Sequence, residues 1–132
     1  MIYLDTDVLS YFLSGNEQIY AMLKGALNNG EKIALTILTV YEILKGLRYR
    51  QSIQKEQEFQ RVLDCVQVDH LSNNSIALAA SIYGNLRRKG ITISDADILI
   101  AAIVQEHGGI LATNNQKHFR HIDGLQWQLW QP

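Results

Sequence analysis

Apolar residues along this chain come in short blocks separated by compact polar punctuation, and the blocks alternate between strand-like runs and helical spacing. Ile2-Tyr3-Leu4 ends abruptly at Asp5-Thr6-Asp7, after which Val8, Leu9, Phe12 and Leu13 recur at helical intervals, which predicts a short buried strand running into a helix. Ser14-Gly15-Asn16 breaks that pattern. Ile19, Met22, Leu23, Ala26 and Leu27 then form one helical stripe, closed by Asn28-Asn29-Gly30, where the glycine can take a left-handed conformation past the helix end. A second strand is predicted from Ile33 to about Ile37. From Thr39 to about Arg50, the spacing of Val40, Ile43, Leu44 and Leu47 predicts a helix, and a glutamine-rich stretch from Gln51 leads into another through Phe59, Val62 and Leu63.

Val66-Gln67-Val68 reads as a short strand. Ser72-Asn73-Asn74 caps a long helix carrying Ile76, Ala79, Ala80, Tyr83 and Leu86, which stops at Arg87-Arg88-Lys89-Gly90 with cations over its negative dipole end. Ile91-Thr92-Ile93 fits either strand or loop. Ser94 or Asp95 caps an almost wholly apolar helix, Ile98 to Val104, that ends at His107-Gly108-Gly109 and must be buried on most sides. Ile110 to Thr113 is a further strand, Asn114 to Phe119 a loop or single turn, and Leu125 to Leu129 an edge strand.

Strands alternating with helices imply parallel pairing through crossovers. The expected fold class is therefore α/β, a three-layer α/β/α sandwich around a central, mostly parallel sheet of four to five strands, in one domain spanning residues 1–132. In such sheets ligands bind at the carboxyl ends of the strands, where Asp5, Thr36 and Thr113 fall.

Composition narrows the function more than the fold. With 12 basic and 13 acidic residues the formal net charge is −1, so any nucleic acid must be held by a local basic rim rather than by bulk charge. Cys65 is the only cysteine, which excludes an intrachain disulfide and the usual cysteine zinc sites. The N-terminus has no basic run leading into a long apolar stretch, so the chain reads as cytoplasmic, neither secreted nor membrane-spanning. There is no GxGxxG, GxxxxGK[ST] or GxSxG motif, which removes dinucleotide and P-loop cradles and the hydrolase nucleophile elbow.

What remains is carboxylate chemistry. Asp5, Asp7, Glu42, Asp95 and Asp97 sit beside apolar strand ends or inside apolar helices, where burying charge costs several kcal/mol unless protons, hydrogen bonds or a cation compensate. Each also has an ordinary use: Asp5 as a helix cap, Asp7 as a first-turn acid, and Glu42 as a partner for Lys45. Of Asp95 and Asp97, two residues apart, one is expected to be a ligand and the other the cap. Thr113-Asn114-Asn115 follows a strand and can present hydroxyl and amide groups, His118 can act as acid or ligand, and Lys45, Arg48, Arg87, Arg88 and Lys117 are the candidate basic rim.

Four blocks in order then carry a resemblance. They are Ile2 to Asp7, Thr39 to Gly46 around Glu42, Ile93 to Ala102 around Asp97, and Thr113 to Phe119 followed by Ile122 to Leu125 and Trp130. Together they resemble the PIN-domain ribonucleases of the VapC toxin type over essentially the whole chain. That resemblance implies a metal-dependent endoribonuclease of a toxin-antitoxin pair, with Asp5, Glu42 and Asp97 as catalytic and metal-binding acids for Mg²⁺ or Mn²⁺. Thr6, Asp7, Asp95, Thr113, Asn114, Asn115 and His118 would orient those acids or the RNA substrate. It also implies a homodimer and an antitoxin protein whose segment occupies the active-site groove. Many relatives place a fourth acid in the last block, where this chain has Asn115 and His118. The alternatives are a haloacid-dehalogenase-like phosphatase, since Asp5-Thr6-Asp7-Val8-Leu9 also resembles that family's DxDx[TV] nucleophile motif, and a degenerate PIN-like module kept only for binding.

Overall fold

The computed structural model describes all of residues 1–132. Its elements are β1 (Ile2–Leu4), α1 (Thr6–Leu13), α2 (Glu17–Asn28), β2 (Ile33–Thr36), α3 (Ile37–Tyr49), α4 (Ile53–Leu63), β3 (Gln67–Asp69), α5 (Asn73–Arg88), α6 (Asp95–Glu106), β4 (Ile110–Thr113), α7 (Gln116–Phe119) and β5 (Gln126–Leu129). All five strands join one sheet in the order β3-β2-β1-β4-β5, and every pairing is parallel.

The period of two along each strand sorts the core into two halves, one on each face. Ile2, Leu4, Leu35 and Ala112 meet α1 to α4 through Val8, Leu9, Ile19, Ile43, Leu47 and Phe59. Tyr3, Ala34 and Leu111 meet α5 and α6 through Ala79, Ile82, Leu86 and the run Ile100 to Ala102. This is the expected three-layer sandwich, at the upper end of the expected strand count. Each fully buried Leu, Ile or Phe of these clusters contributes roughly 1.5–3 kcal/mol. Helix α6 is covered by α5, the sheet and α3, which is why Ile98 and Ile100 to Val104 can all be apolar.

Several boundaries move from the sequence reading, each for a local reason. β2 ends at Thr36, not Ile37, because the Thr36 hydroxyl accepts from Thr39 N at 3.3 Å and caps α3, which begins at Ile37. β3 is Gln67–Asp69, one residue later than Val66-Gln67-Val68. Ile91 to Ile93 forms no strand, and Ile93 is buried against the α5–α6 core. On α5 the inward face is Ser75, Ala79, Ile82 and Leu86, so Ile76 and Tyr83, expected inside, are 48% and 45% exposed. Ser94 caps α6 through Asp97 N; Asp95 is its exposed first residue and caps nothing.

One polar cluster lies inside the sheet. Tyr3 is fully buried and its phenol donates to Asp69, which also accepts from Gln67 Nε2 at 2.9 Å and has His107 Nε2 3.9 Å away. Burial, then the Asp69 bond, pushes the Tyr3 phenol far above its ordinary range, so it remains a donor. Burial raises Asp69, but the bonds from Tyr3 and Gln67 and the nearby His107 and His70 outweigh it and hold this acid below the usual carboxylate value. The ring of Tyr3 is also why residue 109 is glycine: a Cβ there would meet the ring at 2.5 Å.

Candidate active site

The strand order reverses direction across β1 and β4, and a crevice opens at their carboxyl ends. Asp5 stands there, 4% exposed, immediately after β1. Its Oδ1 accepts from Thr6 N at 2.9 Å and its Oδ2 accepts from the buried Thr113 hydroxyl at 2.8 Å. Asp5 therefore does cap α1, and the same carboxylate is the centre of the site. Glu42, on the first half of α3, accepts from the Thr6 hydroxyl at 2.7 Å, and that hydroxyl also lies 3.3 Å from Thr39 Oγ1. Thr6 thus couples the second acid to the first.

Asp97 is on the first turn of α6, partly buried, with His118 Nδ1 3.0 Å from its Oδ2. The same ring nitrogen is 2.8 Å from the Asn115 amide, and Asn115 N donates to Thr113 Oγ1 at 2.9 Å. With its proton on Nδ1, His118 donates to the Asp97 carboxylate, and the Asn115 amide then turns its oxygen toward the same N–H. Asn115 and His118 form a support behind Asp97 that adds no carboxylate to the site.

Electrostatics mark Asp5 as the least satisfied group. Burial pushes its carboxyl up to about 7, against the lowering effect of the Thr113 and Thr6 hydrogen bonds; Asp97 and then Asp7 raise it further. No cationic side chain pairs with it. No three His, Cys, Asp or Glu side chains are gathered closely enough to hold a metal ion as they stand. The donor set nevertheless suits one in kind: hard carboxylate oxygens, one of them buried without a counter-charge, which a divalent cation would supply.

Of the other sequence candidates, Asp7 and Asp95 are exposed, and the expectation that Asp95 shares the ligand-and-cap roles with Asp97 is corrected by Ser94. Asn114 adjoins the site but has no side-chain hydrogen bond. The basic rim is partly spoken for: Arg48 binds Glu56, Lys45 lies 5.1 Å from the Tyr41 ring, Arg87 5.2 Å from the Tyr83 ring, and Arg88 packs beside Gly84. Lys117 is exposed on α7. The sequence reading missed Thr39; a hydroxyl three residues after the Thr36 cap is its only signal. For the phosphatase alternative, Asp7 is exposed and the Thr36 hydroxyl is engaged as the cap of α3.

Comparison with known proteins agrees with this geometry. The PIN domain family model matches residues 2–125. Ribonuclease VapC1 of Haemophilus influenzae (strain R2866) is 30% identical over 136 residues, 98% of each chain. Ribonuclease VapC19 of Mycobacterium tuberculosis (strain ATCC 25618 / H37Rv) is 29% identical over 123 residues, 93% of this chain and 95% of that one. Among solved structures, the VapBC2 structure from Rickettsia felis, bound to a DNA fragment from their promoter, superposes with a TM-score of 0.91 at 25% identity, covering 99% of this chain and 100% of that chain. VapBC-1 from nontypeable Haemophilus influenzae gives 0.87 at 26% identity, covering 98% of both. With a parallel five-stranded sheet, acids at its switch point and full-length relatives of this kind, the chain belongs to the PIN domain family, among its VapC ribonucleases.

Proposed function

We propose that this chain is an endoribonuclease that hydrolyses RNA phosphodiester bonds in the cytoplasm as the toxin of a toxin-antitoxin pair. The observation that carries the reading is Asp5: a buried acid without a cation, hydrogen-bonded to Thr6 and Thr113 and flanked by Asp97 and Glu42. Asp5, Asp97 and Glu42 would hold Mg²⁺ or Mn²⁺, as PIN-domain ribonucleases generally hold a divalent metal; when bound, the cation supplies charge neutralisation on the phosphodiester and activation of water. The chain's own residues do the positioning. Thr113 and the Thr6 amide fix the Asp5 carboxylate, the Thr6 hydroxyl aims Glu42, and His118 holds Asp97 with a donor that leaves its second oxygen free.

Cleavage of a single-stranded RNA is expected to vanish in EDTA and to return with Mg²⁺ or Mn²⁺, because three carboxylates without a cation repel the phosphate they must engage. Undiminished cleavage in chelator, with metal removal verified, would sink the mechanism.

An antitoxin protein would place one segment in the groove at the acids and an apolar segment in a separate cavity of about 590 Å³ between α1, α2 and α4, lined by Leu4, Leu9, Phe12, Leu23, Leu27 and Val62. A homodimer would cover the stripe Ile76, Ala80 and Tyr83 on α5. Ile76→Asp combined with Tyr83→Asp is then expected to halve the mass seen by light scattering, and a mass unaffected by the pair would remove α5 from that interface. No helix is long and apolar enough to cross a membrane.

A further inference from the structure

A second cavity, about 370 Å³, opens at Thr6 and Glu42 and runs away from the acids between α1 and α3. Its walls are two stripes at i, i+4, i+8 spacing, Thr6 and Ser10 on α1 continued by its C-cap Ser14, and Glu42 and Gly46 on α3 continued by its C-cap Arg50, so the groove follows both helix axes. Gly46 matters here because it has no side chain. It leaves the floor open between the acid and the cation, and the Arg50 guanidinium folds back over it, with Nη1 3.4 Å from where a Cβ would stand.

Two cations close the far end. Arg50 has no carboxylate partner, unlike Arg48, which is held by Glu56. Lys55 Nζ donates to the Leu13 carbonyl at 3.1 Å and lies 3.4 Å from Glu58, an exposed pair that yields readily to a stronger anion. Hydroxyls of Ser10, Ser14 and Ser52 line the path between. Arg50 follows Glu42 by eight residues, a backbone rise of about 12 Å, and its guanidinium folds back to the level of Gly46, one helical turn from Glu42, so the cations are offset along the groove from the phosphate that the acids engage. They can reach one further along the same strand.

We propose that this groove is a phosphate subsite for the RNA backbone flanking the cleaved bond, with Arg50 and Lys55 as its anion-binding residues. The proposal rests on the ribonuclease reading. It adds Arg50 and Lys55 to the expected rim of Lys45, Arg48, Arg87, Arg88 and Lys117 and sets them ahead of Arg87 and Arg88, since the groove's cations share one cavity with Glu42 whereas those two lie on the α5 surface.

The test is fluorescence anisotropy of a single-stranded RNA oligonucleotide carrying cleavage-resistant phosphorothioate linkages, with the full-length protein in a fixed concentration of Mg²⁺, across a salt series. Each phosphate that the protein no longer neutralises should flatten the slope of log affinity against log salt by about 0.7 for a single strand. Arg50→Ala is expected to lower the slope by one such step, and Arg50→Ala with Lys55→Ala by two, with at least tenfold weaker binding at low salt. Arg50→Lys should restore most of the slope, which a merely structural role for the guanidinium would not predict. In Mg²⁺ the double variant should raise KM for a long RNA and leave kcat within about threefold. An unchanged slope in Arg50→Ala, in a background where the parent protein binds and cleaves RNA, overturns the subsite alone. A parent protein that neither binds nor cleaves RNA overturns the ribonuclease reading and the subsite with it.

Discussion

Asp5→Asn, Asp97→Asn and Glu42→Gln should each cut the rate of RNA cleavage by more than on the order of 10²-fold, while Asp95→Asn leaves it within a few-fold. The contrast follows from position. Asp5 is buried between Thr6 and Thr113 at the end of β1, Asp97 is backed by His118, and Glu42 is tied to Thr6, so each carboxylate is pre-aimed by a specific donor. Removing a partner that merely orients a metal ligand costs about 10–100-fold, and removing the ligand itself should exceed that. Asp95 stands exposed two residues earlier, and the capping role it could have shared belongs to Ser94. Initial rates on one RNA at saturating Mg²⁺, with circular dichroism confirming the fold of each variant, make the comparison. An indispensable Asp95 beside a dispensable Asp97 would mean that α6 presents the opposite carboxylate from the one its geometry indicates.

The same residues show how far the chain could be read without coordinates. Strand and helix identity were legible because buried parallel strands are short unbroken apolar runs and the helices between them keep a 3.6 period. Asp5 and Asp97 were legible because a carboxylate at the end of such a run has few ordinary uses. The face of α5 was not: Ile76 and Tyr83 are apolar enough beside Ala79 and Ile82 that periodicity alone rotates the helix by part of a turn, and only the packing of Ala79, Ile82 and Leu86 into the core shared with α6 fixes it. The link from Thr6 to Glu42 spans 36 positions of sequence and depends on α1 and α3 lying side by side, a tertiary fact with no local signature. The groove to Arg50 is hidden for the same reason, and a glycine inside a helical pattern, Gly46, was its one visible trace.

In metal-free buffer the protein is expected to lose stability as pH rises from about 4 to about 7, and Asp5→Asn is expected to abolish most of that loss. The Asp5 carboxyl is raised in the folded state from its ordinary 3.8 to about 7, chiefly by burial. Across that window the folded chain keeps a proton that the unfolded chain has already released, so the folded state binds more protons and unfolding becomes easier with each unit of pH. Below about 4 both states are protonated and the group contributes nothing to the slope; above about 7 both are ionised and the full penalty is present. At 1.36 kcal/mol per unit the penalty at pH 8 is on the order of 4 kcal/mol, a large share of the 5–15 kcal/mol typical of a domain. Asparagine keeps an oxygen for the Thr6 amide and cannot ionise, so the variant should be more stable than the parent at pH 8 and nearly equal to it at pH 4. The difference between the two proteins isolates Asp5 from every other ionisable side chain, which the two proteins share. Urea denaturation in EDTA at intervals from pH 4 to pH 8 measures it, and parallel curves for parent and variant would show that Asp5 bears no unmet charge. Mg²⁺ added at pH 8 should then stabilise the parent more than the variant, because only the parent offers the cation an ionised Asp5.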